Sequence, residues 1–170
     1  MIFSEVQLER GRRVTLRPES AGDEPLLFQL YAGTREEELA LTGWDERTRA
    51  QFLQSQFQAQ RTAYRSMFPT ADFAILLCET AAAGRIVVHQ SPVEVRLVDL
   101  IIAPALRNRG LGSALLRALL AEAARQNKPA RLHVLQNNRA TRLYQRLGFR
   151  RIAVHGLHEE MEWHAPAVNP

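Results

Sequence analysis

Cysteine is almost absent from this 170-residue sequence, and long apolar runs are missing from it. Cys78 is the single cysteine, which excludes an internal disulfide and a cysteine-based metal site. No apolar run reaches the length of a membrane span, and the first residues lack a basic flank followed by an apolar stretch. The five histidines show no metal-ligand spacing. We therefore expect a cytoplasmic protein with no metal and no membrane contact.

Acidic residues are nearly missing from one part of the chain. Between Ile101 and Arg151 there are eleven arginines and lysines but a single acid, Glu122, which gives this part a net charge of +10. The remainder has eleven basic and seventeen acidic residues, a net charge of −6. Such a basic surface binds phosphates. Only one of the eleven is lysine, and the aromatic residues of this part, Tyr144 and Phe149, stand near its end. A compact polyphosphate ligand is therefore favoured over nucleic acid, which we rank last.

The residues that are present predict one α/β domain over 1–170, with a loose tail at 165–170. Apolar periodicity predicts strands at Val14–Arg17, Asp72–Glu79, Arg85–His89, Glu94–Ile102, Arg131–Leu135, Phe149–His155 and Glu159–Trp163. Helices are predicted from Asp23, a candidate N-cap, to a break at Gly33, from the cap residue Asp45 onward, over Gly110–Gln126 and after Asn138, which can cap a short helix. A helix joins the strand ending at Ile102 to the strand starting at Arg131, so these two should be parallel.

A basic glycine loop, Arg107-Asn108-Arg109-Gly110-Leu111-Gly112-Ser113, lies between one of these strands and a helix. Two glycines allow backbone N–H groups to approach a ligand closely, and the start of a helix adds the positive end of its dipole. The loop therefore predicts an anion site. It lacks the Lys-Ser/Thr ending of an ATP-binding loop and the spacing of a dinucleotide fingerprint, so alone it does not identify the anion.

A second motif follows about thirty residues later, in Asn137-x-x-Ala140-x-x-Leu143-Tyr144-x-x-x-Gly148-Phe149. Together with Asp99-Leu100-Ile101-Ile102-Ala103-Pro104 and the glycine loop, it resembles the GNAT superfamily of acetyl-CoA-dependent N-acetyltransferases. The resemblance covers nearly the whole chain. It implies a sheet of about seven mostly antiparallel strands, a splayed parallel central pair and helices on both faces.

The resemblance also implies acetyl-CoA as co-substrate, with its pyrophosphate on the loop amides and its pantetheine arm between the splayed strands. The cofactor-binding residues implied are Ile101, Ile102, Arg107, Asn108, Arg109, Gly110, Leu111, Gly112, Ser113, Asn137 and Tyr144. The Ile102 N–H would face the thioester carbonyl as a small oxyanion site. For Asn137, a turn or capping role is an equal alternative.

Two residues are the catalytic candidates. Tyr144 matches the family tyrosine near the CoA sulfur and could protonate the departing thiolate, with a purely core role as the alternative. Some family members use a strand glutamate as base, but Arg96 stands at that position here and cannot be a base. Asp99 is the nearest remaining acid, with a structural ion pair as its alternative role. Strand alternation places Asp99 on the opposite face of the strand from Arg96 and Glu94 on the same face as Arg96. Glu94 and a water chain are therefore further alternatives for the base.

The sequence thus predicts an N-acetyltransferase that moves an acetyl or acyl group directly to an amine in a ternary complex. The alternative is a non-catalytic acyl-CoA sensor or interaction module on the same fold, because the strand glutamate is replaced. Arg96 would suit an acceptor that bears a carboxylate, whereas the acidic remainder of the chain suits a cation. The acceptor amine and the formation of a homodimer stay open.

Overall fold

The structure, a computed structural model, describes residues 2–7 and 13–166. Its strands are β1 (Glu5–Gln7), β2 (Arg13–Pro18), β3 (Asp72–Cys78), β4 (Ala81–Gln90), β5 (Val95–Ile102), β6 (Ala130–Leu135), β7 (Arg150–His155) and β8 (His158–Trp163). Its α-helices are α1 (Glu24–Ala40), α2 (Glu46–Met67), α3 (Leu111–Arg125) and α4 (Thr141–Arg146). Single 3₁₀ turns precede α1 and follow β5.

The strands form one sheet in the order β1-β2-β3-β4-β5-β6-β8-β7. Every neighbouring pair is antiparallel except β5 and β6, which are parallel as the sequence predicts. The predicted mixed sheet is confirmed, but the described residues contain eight strands rather than about seven. The additional strand, β1, pairs with β2 from Glu5 opposite Thr15 to Gln7 opposite Arg13. Three residues with one apolar side chain, Val6, are too few for a periodicity signal.

Helices cover both faces of the sheet, as predicted. The larger core lies on the α3 face, where Leu115, Leu116 and Leu119 are fully buried against strands β2 to β6 and β8. The smaller core lies on the α1 and α2 face, where Leu27, Tyr31, Phe57 and Ile75 pack together. On this face α1 and α2 cover only β3 to β5. The other half of the same face, on β6 to β8, carries mainly polar side chains.

Two local predictions in the first helix are wrong. α1 continues through Gly33 to Ala40, because Leu30, Tyr31 and Leu39 are buried along one side of it and outweigh about 1 kcal/mol of glycine cost. Asp23 precedes α1 but makes no side-chain cap. Its carboxylate instead accepts two hydrogen bonds from Arg17, at 2.6 and 2.7 Å, which lower its pKa far below the usual range.

The described ends of the chain add little to the fold. Of the predicted loose tail, residues 165 and 166 have no regular secondary structure, and residues 167–170 lie outside the described part. Among the described helices, none combines the length and the apolar content needed to cross a bilayer.

Candidate active site

The centre of the sheet opens between β5 and β6. The two strands pair only from Val95 opposite Ala130 to Leu97 opposite Leu132. Beyond this point β5 stays with β4, and β6 stays with β8. The predicted splayed pair is confirmed, and the resulting wedge has Val98–Ile102 on one side and His133–Leu135 on the other. Strand edges that part in this way leave backbone groups available to a ligand.

The Ile102 N–H points into this wedge. Ala103 N donates to Ala83 O in β4 at 2.9 Å, so the next pair, Ile102 and Gly84, is a non-hydrogen-bonded pair of the antiparallel ladder. The backbone groups of Ile102 are therefore turned away from β4, whereas those of Ile101 are turned toward it. Arg107 Nε donates to the Ile102 carbonyl at 3.0 Å and ties the glycine loop to the strand end.

A β-bulge in β5 changes which face Asp99 occupies. Val87 pairs with Asp99 and Val88 pairs with Leu97, so Val98 is an extra residue in β5. The bulge shifts the alternation by one residue and places Asp99 on the same face as Arg96. Simple alternation, which places the two on opposite faces, is wrong here because it assumes an unbroken ladder.

Asp99 is mostly buried, with 14% of its side chain exposed, and it lies beside the buried Arg85. Arg85 donates to Asp99 Oδ2 at 3.4 Å, and its Nε lies 3.5 Å from Glu19 Oε2. Burial raises the pKa of Asp99 to about 6, although the Arg85 charge and the Leu100 N–H oppose that rise. A carboxyl group with this pKa is ionised at neutral pH and can accept a proton more readily than an ordinary aspartate.

Tyr144 lies on α4 in the core of the α3 face. It can act as a proton donor, whereas Asp99 can act as a proton acceptor. Its ring is buried and meets the Phe149 ring edge to face, with centroids 5.8 Å apart. Burial, followed by the negative charge of Asp99, raises the pKa of Tyr144 to about 12. The hydroxyl therefore keeps its proton at neutral pH. Asp99, 45 residues away in sequence, borders the wedge in β5, and its charge acts on Tyr144 from there.

The glycine loop ends in an open helix start. Asn108 and Gly110 both have positive φ, at 59° and 82°. The first helical bond of α3 runs from Ala114 N to Gly110 O at 3.0 Å, so the N–H groups of Leu111–Ser113 precede it and lack an intrahelical acceptor. Arg109 lies in the same turn.

Gly112 allows α3 to begin close to the strand end. A Cβ atom at this position would lie 3.3 Å from both Ile102 Cδ1 and Leu143 Cδ2. The missing side chain thus brings the donor groups of α3, the end of β5 and the Tyr144 helix together. These features fit a diphosphate at the loop and an extended arm along β5.

Asn137 and Asn138 occupy the turn between β6 and α4. Asn137 is exposed with a φ of 65°, a conformation that asparagine tolerates, which agrees with the turn role. Asn138 accepts a hydrogen bond from Ala140 N at 2.8 Å, and α4 begins at Thr141. Asn138 therefore stabilises the turn that precedes α4 and is not the predicted N-cap of this helix.

Arg96 is already neutralised by carboxylates of the protein. Its guanidinium donates to Glu94 at 2.6 Å and to Glu160 at 3.1 Å. Glu94 also accepts from Arg131 at 3.2 Å, and Arg131 contacts Glu162. An acceptor carboxylate would have to compete with these ion pairs, so the argument from Arg96 for a carboxylate-bearing acceptor loses its force.

A cleft of about 560 Å³ lies between α1, α2 and the end of β5. Ala103 and Pro104 form its wall next to the wedge, and Glu36 and Arg49 supply its charged groups. The aromatic residues Tyr31 and Trp44 do not line it. Tyr31 is buried against Phe57, and Trp44 packs edge to face on Phe52 at 5.2 Å.

Two features of this site were missed in the sequence. Arg85 was predicted only as a strand residue, and its burial beside Asp99 has no local signal. Glu19 follows the first predicted strand and is not predicted as a site residue. Its side chain is 1% exposed and contacts Arg85. An arginine and a glutamate next to apolar strand residues are ordinary in sequence, because their pairing depends on the sheet register.

Residues 70–151 match the family model described as the acetyltransferase (GNAT) domain. A search of curated protein sequences gives no match. Similar solved structures include the PaiA N-acetyltransferase from Thermoplasma acidophilum in complex with coenzyme A. It is 16% identical with a TM-score of 0.66, over 89% of this chain and 99% of that chain.

Ard1 from Thermoplasma volcanium is 23% identical with a TM-score of 0.60, over 90% of this chain and 98% of that chain. A GNAT family acetyltransferase from Elizabethkingia anophelis with acetyl-CoA bound is 15% identical with a TM-score of 0.55, over 89% and 98% of the two chains. At these identities the likeness concerns the fold.

Proposed function

We propose that this chain is an acetyltransferase of the GNAT type, whose family model matches residues 70–151, and that it transfers an acetyl group from acetyl-CoA to the amine of a small molecule or peptide. The observation that carries the proposal is the wedge between β5 and β6, with the Ile102 N–H turned into it, Asp99 on its β5 side and the glycine loop following the end of β5. The similarity to structures that hold coenzyme A or acetyl-CoA supports the choice of co-substrate.

The glycine loop fits the diphosphate of acetyl-CoA. The N–H groups of Leu111, Gly112 and Ser113 supply donors, and Asn108, Arg109 and Gly110 form the turn that presents them. Arg107 adds positive charge while it holds the Ile102 carbonyl. In this arrangement Ile102 binds along the pantetheine arm, Ile101 supports the strand from the β4 side, and Asn137 lies at the opposite rim.

Three groups of the chain perform the chemistry in this proposal. Asp99 accepts the proton that the amine loses as its nitrogen attacks the thioester carbon. The Ile102 N–H donates to the carbonyl oxygen as negative charge develops on it. Tyr144 donates its hydroxyl proton toward the sulfur as the C–S bond breaks and the C–N bond is completed. The products are the N-acetyl amine and CoA, and no covalent enzyme intermediate is formed.

The burial and charge of the two side chains match these roles. Asp99 has a pKa of about 6 and is ionised at neutral pH, so it can act as a base. Tyr144 has a pKa of about 12 and keeps its proton, so it can act as an acid. Two groups whose pKa values are separated in this way form the usual acid and base pair of an enzyme.

A thiol-release assay with acetyl-CoA and a panel of amines tests the proposal. We expect at least one amine to give stoichiometric CoA and N-acetyl product. Replacing Tyr144 with Phe should lower kcat by about 10²-fold and change the KM for acetyl-CoA little, because the hydroxyl acts on the leaving group. Tyr31→Phe is the matched control, since Tyr31 is equally buried but packs in the α1 and α2 core.

The second candidate is an acyl-CoA sensor without turnover. It is favoured by Arg96, which replaces the strand carboxylate and is bound by Glu94 and Glu160. Thermal stabilisation by acetyl-CoA with no thiol release from any amine would support this candidate and contradict the enzyme. Equal kcat values for the Tyr144→Phe variant and the parent protein would remove Tyr144 from the mechanism.

A further inference from the structure

Three potential metal ligands converge on the polar half of the sheet that α1 and α2 leave open. His133 on β6, His155 on β7 and Glu160 on β8 have ligand atoms that all lie within 4.8 Å of one another. His155 Nε2 is 3.5 Å from Glu160 Oε2, and His133 Nε2 is 3.8 Å from Glu160 Oε1. No local pattern in the sequence indicates this cluster, because the two histidines are 22 positions apart.

We propose that His133, His155 and Glu160 form a binding site for a divalent transition metal of the Zn²⁺ class. Two imidazole nitrogens and one carboxylate oxygen are a common ligand set for this ion, and they leave a fourth position open. Ligands about 2.0–2.1 Å from a tetrahedral Zn²⁺ are about 3.3–3.4 Å from one another. The two histidine nitrogens lie 3.5 and 3.8 Å from different oxygens of the Glu160 carboxylate, close to this value, and all three ligand atoms lie within 4.8 Å of one another.

The sheet itself gives the site rigidity. His133 lies directly opposite Glu160 in the β6–β8 ladder, and His155 lies opposite His158, two residues before Glu160 on the same strand. The three backbones are thus fixed by strand pairing, and only side-chain rotations of exposed imidazoles are needed to complete the geometry. The His133 and His155 rings already lie edge to face, with 6.0 Å between their centroids.

Arg96 is the competitor of the metal. One of its nitrogens lies 3.0 Å from His133 Nδ1, and another donates to Glu160 Oε1 at 3.1 Å. A metal on His133 Nε2 requires the ring proton on Nδ1, which then cannot accept from Arg96. Metal binding must therefore turn the guanidinium away from His133, toward Glu94, which it already contacts at 2.6 Å. Arg96 should weaken the site without preventing it.

A neighbouring pair provides an internal comparison. His164 Nε2 lies 2.7 Å from Glu162 Oε1 on the same sheet, but the other Glu162 oxygen is held by Arg131. In the described part of the chain, the group with three converging ligands is the one at His133. A two-residue pair should bind a metal ion far more weakly than the three-residue group.

Titration of the metal-depleted full chain with Zn²⁺ by calorimetry, and with Co²⁺ by visible absorption, tests the site. We expect saturable binding of a single equivalent and a tetrahedral-type Co²⁺ spectrum. His133→Ala, His155→Ala and Glu160→Gln should each weaken binding by about tenfold or more. His164→Ala, the matched control, should bind as the parent does.

A fourth variant tests whether Arg96 competes with the metal. Arg96→Met removes the competing cation and should tighten metal binding by roughly fivefold. The proposal is overturned by an absence of saturable binding, by unchanged affinity in His133→Ala and His155→Ala, or by an equal loss in His164→Ala. These readouts measure metal binding directly, so they do not depend on whether the chain is an active acetyltransferase.

Discussion

Arg85 on β4 and Asp99 on β5 form a largely buried ion pair, with 3.4 Å between the guanidinium and the carboxylate. Arg85 also packs under α2, with its guanidinium 6.0 Å from the centre of the Tyr64 ring. Burial and the Arg85 charge act on Asp99 in opposite directions, and burial is the stronger, since the pKa of Asp99 is raised to about 6. Arg85 is therefore a positioning residue for the proposed base.

Removal of the Arg85 charge should shift the pH dependence of the proposed reaction. In Arg85→Met the burial effect on Asp99 is no longer opposed, so its pKa should rise by roughly one unit or more. The acidic limb of the plot of kcat/KM against pH should then move from about pH 6 to higher pH. Arg85→Lys retains the charge and should leave the limb near its original position. A limb that stays fixed in folded Arg85→Met would contradict this role.

The loop and Tyr144 could be identified in the sequence because each belongs to a short local motif, Arg107 to Gly112 and Asn137 to Phe149. The face of the sheet on which Asp99 lies could not be predicted, because the bulge at Val98 depends on how β4 pairs with β5. The same holds for Arg85, whose partners come from β5 and from the segment after β2. Contacts set by sheet register are long-range, and single-sequence periodicity does not contain them.

The ionisation of Asp99 should also appear in the stability of the fold. Its folded-state pKa of about 6 lies above the usual 3.8, so the stability that its proton contributes is complete below about pH 4 and is lost as pH rises through 6. Asp99→Asn removes this dependence. The free energy of unfolding of the parent should therefore fall relative to that of Asp99→Asn, by up to about 3 kcal/mol between about pH 4 and pH 8.

Urea unfolding of both proteins at the two pH values measures this difference. The change with pH is the quantity of interest, since the lost contact with Arg85 adds a cost to the variant at every pH. A relative stability that rises with pH for the parent would mean that the pKa of Asp99 is lowered in the folded state, and would contradict the burial argument.

Gly84 on β4 should not tolerate replacement by a residue with a side chain. A Cβ atom there would lie 2.1 Å from the Ile101 carbonyl oxygen, which is backbone and cannot turn away. We expect Gly84→Ala to lower the free energy of unfolding by at least about 3 kcal/mol, or to prevent folding. Gly156→Ala is the control, because its φ of 58° costs only about 1 kcal/mol and no atom lies within 4 Å of the new Cβ. Similar thermal midpoints for the two variants would refute the steric argument.

Gly112 tests the fit between α3 and the diphosphate. A methyl group at this position must displace Ile102 Cδ1 or Leu143 Cδ2, both at 3.3 Å, and so moves the first N–H groups of α3 relative to β5. We expect Gly112→Ala to weaken coenzyme A binding by about tenfold, measured by calorimetry, with little change in stability because alanine favours the helix.

Gly33→Ala is the matched helical control. Its nearest atom, Pro104 Cγ, is 4.0 Å away, so this variant should gain about 0.5–1 kcal/mol of stability and bind coenzyme A as the parent does. Unchanged affinity in Gly112→Ala would show that the start of α3 does not hold the diphosphate, and would leave Arg107 and the turn at Asn108 as the remaining candidates.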